Sequence, residues 1–269
     1  MHRRRIPLLV GLIAGLAFMP ASLAAKKGKK SKLSKEGKKA AELLESKDVD
    51  EILEGVTTLG ELAEPGGAEP LMELLEKGPP DKVTEASLDA LGAISNPDSI
   101  PVIIEYMHHR RPKVRIIAIN AIAEIKDKRV VEALKSALGD SHEKVRRAAA
   151  YALGRYGDPA AVDVLFKAFD RDVPEAAIAI GQIGGVDAME RLSGYLEDAP
   201  LSILKPGFYE FLTREDFPVK GKIAIVDKLL QLAGPEVKEF LKQYAATLGE
   251  DANLKLRQKV ADAIDSIAD

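Results

Sequence analysis

The chain has no cysteine and no tryptophan, and aromatic residues make up only 5% of it. Without cysteine there is no disulfide, no thiol nucleophile, no Cys-ligated metal and no lipid on an N-terminal cysteine. With so few aromatics the core must be assembled from Ala, Leu, Ile and Val, and the hydrophobic content of 46% is ample for that. Long apolar runs are missing beyond the first 25 residues. The run found there, IPLLVGLIAGLAFM, is shorter than the roughly 20 residues that span a bilayer. It follows a basic MHRRR and precedes PASLAA, the three-part plan of a secretory signal peptide with Ser22 and Ala24 as the small residues before the cut. Residues 1–25 are therefore expected to be a signal peptide cleaved near Ala24 or Ala25, and the protein to be periplasmic or secreted.

Charge is present in quantity, at 30% of residues, but it is unevenly spread. Residues 26–39, KKGKKSKLSKEGKK, carry +7 and the basic start +3, so residues 40–269 carry −13 within a total of −3. Such a lysine tract is expected to be a disordered linker, with weak contact to an anionic envelope surface as the alternative. The acidic remainder excludes a nucleic-acid binder, which needs lysine and arginine clustered on its folded surface.

The stretch VRRAAAYALGRYGDPAAV at 145–162 is one of a series. The place of Gly154 is held by Gly60, Gly92, Ala123 and Gly181 in other units, at spacings of 32, 31, 31 and 27 residues. One residue earlier stand Leu59, Leu91, Ile122, Leu153 and Ile180; two earlier, Thr58, Ala90, Ala121, Ala152 and Ala179. A period near 31 with several aligned columns marks a repeat array. Within a unit, Val145, Ala149, Ala152, Leu153 and Tyr156 form one helical stripe. Gly157 then stops that helix, Asp158 caps the next and Pro159 opens it. Val162, Leu165 and Phe169 make the stripe of the second helix. The glycines are thus helix punctuation and packing positions. A phosphate-cradling loop is excluded because no strand precedes them. Since one helix pair cannot bury its stripe alone, the units must stack.

EKVRRAAAYALGRYGDPAAVDVLFKAF resembles a HEAT repeat, specifically the short HEAT-like kind of the phycobilisome-lyase type, through its Val-Arg, Ala-Leu-Gly and Gly-Asp-Pro-x-x-Val elements. The resemblance implies an all-α, right-handed α-solenoid of stacked antiparallel helix pairs. It covers residues 40–197; residues 198–269 read as degenerate helical repeats ending in a cap. LSILKPGFYEFLTREDFP, with two prolines and three Phe, falls outside the register, whereas LRQKVADAIDSIAD overlays VRRAAAYALGRYGD. In HEAT repeats an Asp and an Arg six residues later often form a ladder between units. Asp140 and Arg146 match, but His109 stands before Arg115 and Ala176 follows Asp170, so the ladder is expected to be broken.

Chemistry finds little footing. Deoxyhypusine hydroxylase, an enzyme class built on HEAT-like repeats, binds two irons through several His-Glu pairs on successive units. Here His142-Glu143 is the only such pair, and the positions 31 residues earlier are Arg111 and Pro112. One pair is an incomplete ligand set. His108, His109, Arg110 and Arg111 read as a solvated basic turn. No catalytic, cofactor-binding or metal-binding residues are therefore assigned, and no cofactor is expected.

The expectation is a monomeric, non-enzymatic scaffold that binds a protein partner. The runner-up is an accessory or lyase-like subunit presenting a substrate or chromophore to an enzyme. In the resembling repeats the helix with the Ala-Leu-Gly element lines the concave side. Residues two, six and ten places after the Val145 position leave the buried stripe and form the expected binding face: Glu85, Asp89 and Ala93; Ile116, Asn120 and Glu124; Arg147, Tyr151 and Arg155.

Overall fold

The computed structural model describes residues 32–268. The expected signal peptide and residues 26–31 of the lysine tract lie outside these. Fifteen α-helices and no strand occur among the described residues. After α1 (Lys35–Leu43), the helices bearing the Leu-Gly column are α2 (Val49–Leu62), α4 (Asp81–Ile94), α6 (Pro112–Ala123), α8 (Glu143–Tyr156) and α10 (Glu175–Ile183). Their partners are α3 (Ala68–Glu76), α5 (Ile100–Tyr106), α7 (Lys128–Ala137), α9 (Val162–Phe169) and α11 (Val186–Ser193). Each first helix packs on the next, α2 on α4 on α6 on α8 on α10, and each second helix packs on the first helix that follows it. The result is a right-handed α-solenoid of antiparallel helix pairs.

The repeat columns explain the stacking. Val145, Ala149, Ala152 and Leu153 are all buried, as are Val162's neighbours Leu165 and Phe166 on the second helix. The Gly column of one unit meets the Ala column of the next. A Cβ placed on Gly92 would lie 2.8 Å from the Cα of Ala121, and one on Gly154 would lie 2.9 Å from the Cα of Ala179. Adjacent first helices therefore touch backbone to backbone, which only the smallest side chains allow. Gly157 ends α8 in the left-handed region at φ 84°, its N–H bonding the Leu153 carbonyl. Asp158 then accepts from the Ala160 N–H, and Pro159 opens a short 3₁₀ turn, Pro159–Ala161, that leads into α9.

Two departures from the sequence reading concern the ends. Helix α1 begins at Lys35, inside the stretch expected to be linker. Ser34 caps it by accepting from the Gly37 N–H, Glu64 accepts the Ser34 N–H, and Gly37 and Ala40 are buried. The last lysines of the tract thus decorate a packed helix. At the other end, α12 (Leu201–Thr213) continues the first-helix row by packing on α10. Gly207, Phe208 and Phe211 stand 28 residues after Ala179, Ile180 and Ile183 and are buried in the same way. So LSILKPGFYEFL is in register after all, with bulky Phe in place of small aliphatics. Helix α13 (Val219–Leu232) follows as its second helix and packs on α11 and α12, while α14 (Pro235–Ala245) packs on α12 and α13, and α15 (Leu254–Ser266) on α13 and α14. On α15 the overlaid stripe is buried at Leu256, Val260, Ala263 and Ile267, and Asp265 is exposed.

Candidate interaction surfaces

The nine residues expected on the first-helix face sit side by side on α4, α6 and α8 and at the end of α6. Asp89, Ala93, Asn120, Glu124, Arg147, Tyr151 and Arg155 are exposed, and Glu85 and Ile116 are half-buried. Tyr151 stands out at 49% exposure, in a chain with few aromatics. Ion pairs across neighbouring helices fix much of the row: Lys113 to Glu85 at 2.6 Å, Arg155 to Glu124 at 2.5 Å and Arg147 to Glu175 at 2.6 Å. Their basic ends are solvated, so each adds little stability, but the Arg147 and Arg155 pairs hold the two long side chains that flank Tyr151 on α8. The Asp89 carboxyl is held above the usual range by partial burial and by the charge of Glu85, with Lys113 opposing.

The Asp-Arg ladder is broken, as the sequence leads one to expect, but one rung forms. Asp140 does not pair with Arg146; its Oδ1 accepts from Arg115 of the preceding unit at 2.7 Å and from the His142 N–H at 2.8 Å. Burial opposes ionisation of Asp140, but these hydrogen bonds and the Arg115 charge prevail and lower its pKa. Arg115 also holds the carbonyl of His109, the residue that replaces the expected aspartate. Arg146 repeats that half of the pattern by donating to the carbonyls of Asp140 and Ser141, yet it forms no ion pair onward among the described residues. In the following unit Val173 to Ile178 contain no arginine. The ladder has one rung, and the acids of the next two units lack theirs.

Those acids line a groove of about 640 Å3 at the edge where second helices turn into first helices. Its lining includes the apolar side chains of Phe169 and Ile203 and the ring of Tyr195. Its charged residues are Glu143, Asp170, Asp172 and Asp198, against the single guanidinium of Arg146. Tyr195 is held edge-on to Phe169, with centroids 5.0 Å apart, and its hydroxyl donates to Asp170 at 2.6 Å. That hydrogen bond is the main cause of the raised Tyr195 pKa, with burial second. Sequence reasoning missed this groove. Asp170 without a matching arginine was its visible sign, but a vacancy between two loops is invisible in one dimension.

The basic turn behaves as expected in part. His109 stacks on Tyr106 and its Nδ1 accepts from the Arg111 N–H, while Arg111 pairs with Asp81 of the preceding unit. His142 is exposed just ahead of α8. Among the described residues no group of three or more His, Cys, Asp or Glu is arranged to hold a metal, and no helix is long and apolar enough to cross a membrane.

Comparison with known proteins agrees with this architecture. Residues 100–175 match the HEAT repeats family. A curated relative, deoxyhypusine hydroxylase of Drosophila pseudoobscura pseudoobscura, is 26% identical over 127 residues, which is 45% of this chain and 39% of that protein. The chain thus spans well under half the length of the curated relative it matches. Among known structures, the complex of CpcE and CpcF of phycocyanin lyase from Nostoc sp. PCC7120 is 19% identical. The match covers 92% of this chain and 98% of that one, with a TM-score of 0.48. A homology model of the full-length AP-3 complex in an intermediate open conformation is 14% identical over 87% of this chain and 51% of that one, with a TM-score of 0.56. By its repeat columns, its helix-pair stacking and the matched segment, the chain carries HEAT repeats.

Proposed function

We propose that this HEAT-repeat protein is an exported, non-enzymatic scaffold that holds a protein partner on its first-helix face. The observation that carries this is Tyr151, exposed at the middle of α8 between Arg147 and Arg155, both tied into cross-helix ion pairs. Tyrosine and arginine dominate protein interfaces because each buries a large area and ends in a polar or charged group. Pre-fixed side chains lose less entropy on binding. The row also lies on the tighter side of the stack, where first helices meet backbone to backbone. In the resembling repeats this helix row lines the concave side, and concave solenoid surfaces are the usual binding faces. Against an iron-dependent reaction like that of the curated relative stands the ligand set, since His142-Glu143 has no counterpart one unit earlier. Export rests on the basic, apolar and small-residue order of residues 1–25.

Affinity capture from envelope extract with the mature chain tests the reading. A partner should co-purify, and the Tyr151→Ala, Arg155→Ala pair should weaken it at least tenfold, about 1.4 kcal/mol, with an unaltered melting curve. Capture that survives this pair and is lost on deleting residues 26–39 would move the site to the lysine tract. A chromophore or metal that co-purifies would defeat the non-enzymatic reading.

A further inference from the structure

The groove between the turns ahead of α10 and α12 is a gap in an otherwise regular pattern. One unit earlier, Arg115 lies across the stack with its side chain only 11% exposed, bonding a loop carbonyl with one nitrogen and Asp140 with another. In the next unit Arg146 keeps the carbonyl bonds, but Asp170 takes the Tyr195 hydroxyl instead of a guanidinium. One unit further there is no arginine, and Asp198 is left on the rim with Asp172. Two of these carboxylates sit where negative charge is least at home: Asp170 caps the C-terminus of α9, and Asp198 follows the short 3₁₀ turn Gly194–Glu197. Carbonyls there already make the potential negative, so a cation placed between them gains from both. The lining is suited to the same guest. Tyr195 is fixed by Asp170 on its hydroxyl and Phe169 against its ring, which leaves a rigid aromatic plate beside the acids. An arginine of the chain already uses this neighbourhood: the Arg191 guanidinium interacts with the Tyr195 hydroxyl and lies 3.8 Å from the centroid of Phe166, which is itself stacked with Tyr195.

We infer that this groove binds an arginine side chain presented by a partner polypeptide. The guanidinium takes the place in the ladder that the chain leaves unfilled, against Asp170 and Asp198, with its plane on the Tyr195 ring. Guanidinium suits the site better than ammonium because it is planar, more weakly hydrated, and able to bond two carboxylates while stacking. This rests on the reading of the protein as a scaffold and names a second contact for its partner, one that does not involve the Tyr151 row.

The test titrates the full mature chain with a peptide of about nine residues, otherwise neutral and bearing one central arginine, followed by calorimetry and by amide shifts. The expected result is saturable binding that perturbs residues around Tyr195. Replacing the arginine by uncharged citrulline should weaken it at least tenfold, and lysine should fall between. Asp170→Asn with Asp198→Asn should also cost at least tenfold, since the substituted amide oxygen at position 170 still accepts the Tyr195 hydroxyl and keeps the ring in place while the charge is lost. Tyr151→Ala with Arg155→Ala should leave the peptide affinity unchanged even where it abolishes capture of a partner, which separates failure here from failure of the first-helix face. Equal affinity for the citrulline peptide, no saturation at millimolar peptide, or full binding by the double Asp→Asn variant would each overturn the inference. So would free arginine amide binding as tightly as the peptide, because the ligand would then be a small molecule. Should the double variant not fold, the unaltered chain still decides: binding indifferent to citrulline replacement and to salt contradicts an ionic site.

Discussion

Tyr244 is 1% exposed, and its hydroxyl has no hydrogen-bond partner among the described residues. Burial alone pushes its pKa from 10.0 up to about 12. The sign follows from proton uptake. Between about pH 10 and 12 the unfolded chain has lost this proton while the folded chain keeps it. This places its stability contribution fully below pH 10 and has it fall as pH rises through that window, by roughly 2–3 kcal/mol if the whole shift is realised. Tyr244→Phe should remove this fall. It should also raise stability at neutral pH by about 1 kcal/mol, because an unpaired buried hydroxyl is a net cost. Urea titrations of both proteins at about pH 7 and about pH 11 check it. A variant with the same alkaline loss as the parent, or one that is less stable at neutral pH, would show that the hydroxyl is satisfied.

Helices here are spaced by their smallest residues. A Cβ at Gly181 of α10 would collide with the carbonyl oxygen of Gly207 in α12, a main-chain atom that cannot rotate aside. In an open helix, glycine to alanine gains up to about 1 kcal/mol. At Gly181 the forced separation of two helices outweighs that gain, and Gly181→Ala should lose about 1–3 kcal/mol. Gly194 is the control: its φ is −64° and an added Cβ would meet nothing within 4 Å, so Gly194→Ala should be neutral or slightly stabilising. Thermal melts of both variants suffice; equal effects would mean the row is not close-packed. These contacts were legible in the sequence because each small residue recurs once per unit at a fixed place, so Gly92 predicts Gly154 and Gly181. The register of α12 was not legible, since Pro206 and the Phe residues conceal a stripe that only Gly207 preserves. The start of α1 was hidden for a similar reason: its lysines read as solvated tract, while its packing rests on Gly37 and Ala40, with Leu33 and Leu44 flanking it. The groove depends on which acid meets which arginine across two turns. Spacing along the chain suggested Asp140 with Arg146, and the fold pairs Asp140 with Arg115.

At the scale of the stack, stability in a repeat array is approximately a sum of unit terms and neighbour contacts, so its weakest joint opens first. From α2 to α12 the first helices form an unbroken row. Beyond α12 the last three helices attach through sparser contacts to α11 and α12. Polar ties partly compensate. Arg214 donates to the carbonyls of Gly181, Gln182 and Gly184 at the end of α10, and Lys205 of α12 pairs with Glu236 of α14 at 2.8 Å. The latter pair is solvated and adds little. Native-state hydrogen exchange should therefore find α13–α15 opening as one cooperative unit, at a free energy below that of α4–α10. The helices carrying Tyr151 and the groove would stay closed while this unit opens. Lys222 adds a check inside the opening unit: burial lowers its pKa, with Asp216 opposing, so its charge is disfavoured in the closed state. Raising pH toward 10, below the window in which Tyr244 of α14 acts with the opposite sign, should then stabilise α13–α15 relative to the rest. Exchange of α8 and α14 amides at one shared free energy, unchanged by pH, would show a single cooperative body and no weak joint after α12.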